Sequence, residues 1–191
     1  MIDFDKKVVL ASASPRRQEL INLIFDSVEI LPADCDETLP ERIGAREAVE
    51  YLSKIKNDAS SELTEKENLI ISADTVVSVD NEILGKPVDK EDARRMISLL
   101  SGKVHQVYTG VTLSLNGKTK TFSEKTDVEF FDLTENEIEE YISSKEPYDK
   151  AGSYGIQGKA GLLVKGINGD YYNVVGFPIA RLKREIEEFI K

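Results

Sequence analysis

Two arginines stand side by side in Ser12-Ala13-Ser14-Pro15-Arg16-Arg17, the first residues of this chain whose types and spacing could do chemistry. Pro15 suits the opening position of a helix, where its missing N–H costs nothing, and Ser14 is a favoured cap before it. The unpaired N–H groups of a helix start, together with the helix dipole, attract anions. Arginines in that first turn oppose the usual preference for acids there, so Arg16 and Arg17 call for an anion such as phosphate. The other reading is that both pair with surface carboxylates. A second candidate is Asp74, a single acid inside the apolar run LIISADTVVSV. A carboxylate there is costly to desolvate unless it is hydrogen-bonded, paired or metal-bound. At the carboxyl end of a buried strand it would lie where α/β sheets place their ligands. Otherwise it caps the following turn.

Asp34, Asp36 and Glu37 form an acidic cluster that can hold Mg²⁺ alongside waters and substrate phosphates, or is simply a solvated loop. Lys86 in Gly85-Lys86-Pro87, and Lys54 and Lys56 on a helical stretch, are either phosphate contacts or ordinary surface lysines. Gly152, Gly155, Gly158 and Gly161 would let backbone approach a ligand closely, and the Gln157 amide offers a donor and an acceptor to a base edge. The alternative is a mobile surface loop. Cys35 is the only cysteine and His105 the only histidine, which removes disulfide frameworks, cysteine zinc sites and histidine clusters. His105 itself lies in a β-rich run and reads as structural. The absence of a GxxxxGK[ST] pattern argues against a P-loop NTPase.

The elements that must position these groups alternate between strand and helix. A β-branched run at 7–12 leads into the helix opened by Ser14-Pro15, with Leu20, Ile21, Leu23 and Ile24 on one face. A helix at 45–56 places Ala48, Val49, Leu52 and Ile55 at helical spacing, and the polar residues after it read as a loop or frayed end. Residues 69–79 form a strand apolar enough to be buried on both faces, turned by Asp80-Asn81. A helix at 90–100 closes at Ser101-Gly102, and strands at 105–115 and 118–131 flank Asn116-Gly117, a hairpin signal. Thr134 and Glu137 form a capping box, and a strand near 162–165 and a helix at 178–190 complete the chain. With no repeat or linker, residues 1–191 read as a single α/β domain.

Across 191 residues, 25 Lys and Arg face 35 Asp and Glu, for a net charge of −10. That balance argues against nucleic acid as partner, since such binding rests on cations neutralising phosphates, yet it leaves room for a small anion where cations gather. No segment approaches the about 18 consecutive apolar residues of a membrane span, and the N-terminus lacks a signal-peptide run. The expectation is a cytoplasmic protein with no membrane partner.

Taken in order, VLASASPRRQEL, the DET at 36–38, SADTVV, GKP and DKAGSYGIQG closely resemble the Maf family of nucleoside triphosphate pyrophosphatases, also called septum formation proteins. The resemblance implies a mixed, twisted sheet flanked by helices, with two lobes around a central cleft as in Maf and ITPase-like folds. It further implies a homodimer, a divalent cation (Mg²⁺ or Mn²⁺), and hydrolysis of a nucleoside triphosphate to monophosphate and pyrophosphate. By the same resemblance Asp74 matches the general base and Glu37 a carboxylate of metal and catalysis, the two together being the metal ligands. Lys56 and Lys86 match catalytic basic residues, with Lys54 in place of Lys56 if the helix reading is off by two. Ser12, Ser14 and Arg17 match polar and basic substrate contacts, while Arg16, Thr75 and Gln157 match positions of substrate choice. One branch of the family carries SPRR, ADT and YGIQG and acts on dTTP and UTP. A second has Trp before the last Arg, Gln at position 75 and Glu at position 157, and acts on 7-methyl-GTP. This chain follows the first, although Ser72 stands where Gly is frequent. The role implied is cleansing of nucleotide pools or control of cell division.

Overall fold

Val8–Ala11 is buried at every position and forms strand β1, with β2 (Glu29–Ile30) and β3 (Leu69–Val79) parallel on its two sides. Parallel neighbours need crossover connections, and two helices lie in the chain between β1 and β3: α1 (Pro15–Ile21) and α2 (Ala45–Ser61). The computed structural model describes residues 1–32 and 34–191. The chain continues through β4 (Glu82–Leu84), α3 (Lys90–Leu100), β5 (Val104–Leu115), β6 (Lys118–Phe130), α4 (Glu135–Ile142), β7 (Val164–Asn168), α5 (Tyr171–Val175) and α6 (Ile179–Phe189). The seven-stranded sheet runs β2-β1-β3-β5-β6-β7, with β4 paired to β3, and is mixed because β4 and β7 join antiparallel. The α/β reading holds. The described residues gather into two compact units: Met1–Asp74 with Thr109–Glu124 and Gly176–Lys191, and Thr75–Tyr108 with Lys125–Val175. No helix is long and apolar enough to cross a membrane among the described residues.

In the first unit α2 runs to Ser61, beyond the expected end at residue 56. Of the polar residues assigned to a loop, Asn57 and Ser60 lie on its inner face. Asn57 Nδ2 donates to the carbonyls of Ile70 (3.3 Å) and Thr112 (3.1 Å), and Ser60 Oγ to that of Leu31 (3.0 Å). Ser72 Oγ donates to the Ser53 carbonyl at 2.7 Å. Buried polar groups need such partners, so the bonds extend the helix where propensity alone would fray it. The helix also lies very close to β5. A Cβ on Gly110 would stand 2.2 Å from the carbonyl oxygen of Val49, so only glycine admits α2 at this distance.

In the second unit the capping box forms as expected, Thr134 Oγ1 accepting from Glu137 N while Glu137 Oε2 accepts from Thr134 N. The glycine-rich stretch is not a loose loop. It winds through two short 3₁₀ segments, Ala151–Ser153 and Lys159–Leu162, and buries Ser153 and Tyr154. The strand expected near 162–165 starts at Val164 instead, because Leu163 N still closes the 3₁₀ turn on the Ala160 carbonyl.

His105 is fully buried, edge-on to Phe130 and Tyr154 with centroids 5.0 and 5.3 Å away, and its Nε2 hydrogen-bonds the Tyr154 hydroxyl at 2.7 Å. Its Nδ1 has no hydrogen-bond partner among the described residues. The structural reading of this histidine holds. Burial lowers its pKa from 6.5 to about 4, so the unfolded chain takes up a proton before the folded one does. The stabilisation from neutral His105 is complete above the unfolded value and is lost as pH falls through the folded value. Between pH 6.5 and about pH 5 the unfolding free energy is expected to drop by about 2 kcal/mol from this residue. Urea midpoints across that range read it directly, and His105→Gln should flatten the slope. A slope identical in the variant would assign the pH dependence elsewhere.

Candidate active site

Asp74 does not stand at the end of its strand, as expected, but near the middle of β3. What ends there is β1, whose last pairing with β3 is Ala11 with Ser72. Beyond that pair β3 continues without its parallel neighbour, and Asp74 is half-buried rather than enclosed. Its carboxylate thus emerges at the carboxyl end of the parallel part of the sheet, the position at which α/β folds expose ligand-binding groups.

From the same level the chain leaves β1 through Ser12 and Ser14 into α1. Ser14 has the extended backbone of an N-cap (φ −66°, ψ 117°) with Pro15 behind it, as expected, but its side chain makes no capping bond. The Ser14 N–H instead donates to Ser12 Oγ at 3.3 Å. One turn further, Arg17 Nη1 donates to the Ala73 carbonyl at 2.7 Å and to Ser12 Oγ at 3.4 Å, while its Nε donates to the Gly176 carbonyl at 2.9 Å. Burial pulls the guanidinium pKa down, with Asp74 opposing. Gly176 holds a φ of 107°, left-handed backbone that glycine accepts readily, and so its carbonyl can turn to Arg17. Arg17 is therefore built into the frame that joins β1, β3 and the start of α6. Arg16, its neighbour, is half-buried.

Of the two lysines of α2, Lys56 is the one that meets Asp74. Lys54 is exposed and pairs with Asp58 at 2.6 Å on its own helix. Lys56 Nζ meets Asp74 Oδ1 in a short ion pair and Glu37 Oε2 at 2.9 Å. Burial alone would lower the Lys56 pKa, but Asp74 and Glu37 outweigh it and hold the ammonium above its ordinary value. Asp36 Oδ1 accepts from both Thr38 N (3.0 Å) and Thr38 Oγ1 (2.6 Å), a local turn that takes Asp36 out of the cluster and lowers its pKa. Asp34 is exposed. Burial and then the Glu37 charge push the Cys35 thiol up, against thiolate chemistry.

Thr75, Lys86 and Gln157 belong to the second unit. Thr75 follows Asp74 on β3 and is half-buried, Lys86 is exposed between β4 and α3, and Gln157 is exposed in the glycine-rich stretch. In the first unit the fold thus brings together Ser12, Ser14, Arg17, Glu37, Lys56 and Asp74. Sequence reasoning missed the grip of Arg17 on the Ala73 and Gly176 carbonyls, although Gly176 before Phe177-Pro178 marks a special backbone position.

No group of three or more His, Cys, Asp or Glu set to hold a metal occurs among the described residues. Two carboxylates, Asp74 and Glu37, do converge on one ammonium, a position that attracts positive charge. Mg²⁺ characteristically takes one or two protein carboxylates and completes its shell with waters and substrate phosphates, so this donor set fits a cation bound together with a phosphorylated substrate.

The fold has a counterpart in a solved structure, the Ham1 protein of Staphylococcus aureus, which matches with a TM-score of 0.56 at 16% identity over 96% of this chain and 99% of that one. That likeness shows a mixed α/β fold shared with the Ham1 protein. The sequence pattern of the family described as Maf-like protein matches residues 7–189, and the chain belongs to that family. A relative from Bacillus cytotoxicus is 50% identical over 184 residues, 96% of each chain, and bears the name dTTP/UTP pyrophosphatase. One from Bacillus cereus with the same name is 48% identical over 184 residues, again 96% of each chain.

Proposed function

We propose that this protein is a nucleoside triphosphate pyrophosphatase that hydrolyses dTTP and UTP to the monophosphate and pyrophosphate. The observation that carries this reading is the pairing of Asp74 and Glu37 on Lys56 where β1 ends, in a chain about half identical to named dTTP/UTP pyrophosphatases. Arg16 and the α1 amides after Ser14 hold the triphosphate, with Arg17 and Ser12 keeping that loop in place and Arg17 adding positive charge. Lys86 meets phosphate oxygens from its own loop. Asp74 orients a water and takes its proton as the oxygen attacks the α-phosphorus in line. The bond from the α-phosphorus to its bridging oxygen breaks, and pyrophosphate leaves. Lys56 keeps the two carboxylates close without letting their charges repel. A divalent cation, Mg²⁺ or Mn²⁺, bound by Asp74, Glu37 and phosphate oxygens would supply charge neutralisation to the transition state. Positioning and electrostatics then provide most of the rate, as is general for phosphoryl transfer.

Thr75 and Gln157 are assigned to substrate choice, the Gln157 amide matching a pyrimidine imide that presents one donor between two acceptors. The same reading makes the protein a cytoplasmic homodimer that acts on free nucleotides, cleansing the pool or influencing division. An acidic chain with cations gathered at α1 suits a small, neutralised triphosphate better than a nucleic acid. The deciding experiment is incubation with Mg²⁺ or Mn²⁺ and a panel of nucleoside triphosphates. Monophosphate plus pyrophosphate from dTTP and UTP is the expected product. Diphosphate plus phosphate would make it a phosphatase, and binding without turnover a nucleotide-sensing regulator.

A further inference from the structure

Glu146, half-buried beside the glycine-rich stretch, holds it through two of its groups. Its Oε2 accepts the backbone N–H of Lys159 at 2.8 Å, and its carbonyl accepts from Lys150 Nζ at 2.7 Å. Between those points Gly158 N donates to the Gly155 carbonyl at 3.1 Å, closing a four-residue turn with Ile156 and Gln157 at its centre. A Cβ on Gly158 would fall 2.2 Å from Glu146 Oε2 and 2.7 Å from its carboxyl carbon. The φ of Gly158 is −102°, open to any residue, so a Cβ there would push the Glu146 carboxylate off its place rather than strain the backbone. On the other side of the turn Tyr154 is buried with its hydroxyl on His105, and the Tyr141 hydroxyl donates to the Ser153 carbonyl at 3.0 Å. The turn bearing Gln157 is thus tethered on both sides.

We infer that Glu146 is a positioning residue for nucleobase recognition: its carboxylate, admitted by Gly158, fixes the turn that presents Gln157. The inference rests on the proposed reading of Gln157 as the base-reading amide. Glu146 does not touch nucleotide; it acts by lowering the ordering cost of an exposed side chain. A bond from a backbone N–H to a carboxylate is about twice as strong as one to a neutral acceptor, which suits a tether at a surface position. Prepaid ordering appears as affinity for the base and not as a faster chemical step.

Four variants test this: Glu146→Ala, Gly158→Ala, the two combined, and Gln157→Ala, each assayed with dTTP and dCTP and with inorganic tripolyphosphate as a base-free inhibitor. Each of the first two should raise the KM for dTTP about tenfold and erode selectivity over dCTP, with kcat within about twofold of the parent. Tripolyphosphate inhibition should not move, and hydrogen exchange of the Lys159 amide should quicken in Glu146→Ala. Because both substitutions remove one contact, the double variant should be no worse than either single one. An unchanged dTTP KM in both single variants, additive losses in the double, or equal weakening of tripolyphosphate would overturn the positioning role. If Gln157→Ala loses selectivity while Glu146→Ala keeps it, only the positioning role falls. If Gln157→Ala itself keeps selectivity, the base reading falls and the inference with it.

Discussion

Asp74→Asn is expected to lower dTTP hydrolysis by about 10²- to 10⁴-fold, the range that a positioned general base contributes, while leaving nucleotide affinity near the parental value. Asparagine keeps the volume of aspartate and one oxygen that can accept from Lys56, so the frame around β3 should survive. It removes the charge and the ability to take a proton. Lys56 retains Glu37 as partner, at 2.9 Å in the parent, and so is not stranded as a buried unpaired cation. The Arg17 guanidinium stays fixed by the Ala73 and Gly176 carbonyls, neither of which the substitution touches. Pyrophosphate release gives the rate, and titration with a non-hydrolysable dTTP analogue gives the affinity. A variant that turns over dTTP at the parental rate would remove Asp74 from the chemistry, whereas lost binding with normal turnover at saturation would recast it as a substrate contact.

Gly110→Ala should strongly destabilise the first unit. Its Cβ would meet the Val49 carbonyl oxygen at 2.2 Å, that carbonyl's carbon at 2.4 Å and Glu50 N at 2.8 Å, all of them α2 backbone. No rotamer change relieves such a clash, so the helix must move. Movement loosens the bonds from Asn57 to Ile70 and Thr112 and from Ser60 to Leu31. Overpacking of this kind costs about 3 kcal/mol or more. Since α2 also carries Lys56, turnover should fall with stability. Urea denaturation compares the variant with Gly166→Ala, whose Cβ meets nothing within 4 Å, and which should stay within about 1 kcal/mol of the parent. Equal stability of the two variants would show that α2 tolerates displacement from β5.

Glycine at position 110 also shows where reading a sequence runs out. A glycine within a β-branched run marks a close approach of something, but nothing nearby in the chain says that α2 arrives there. The same holds for Asn57, Ser60 and Ser53, which look like the polar end of a helix and are its buried face. Periodicity of apolar residues found α2 and missed its last turn, because the partners that satisfy those polar groups lie on distant strands. Short elements were invisible for a related reason. β2 and β4 have two and three residues and exist only by pairing with β1 and β3. Asp74, by contrast, was legible, since an acid among apolar neighbours conflicts with burial whatever surrounds it. Its position along β3 was misjudged because the end of the parallel ladder is set by β1 and not by β3 itself.

By itself the sequence determined the alternation of strands and helices, the Asn116-Gly117 turn, the Thr134 cap and the Ser14-Pro15 helix start, and it singled out the candidate site groups. Each of these depends on residues within a few positions of one another, so local sterics and hydrogen bonding suffice to specify them. Only the tertiary structure decided which charges meet: that Lys56 and not Lys54 lies against Asp74, that Glu37 and not Asp36 joins it, and that Arg17 is held by carbonyls from Ala73 and Gly176. Those outcomes follow from the seating of α2 on β5 and from the point at which β1 stops. Both are set by contacts between residues far apart in the chain, which local spacing does not encode.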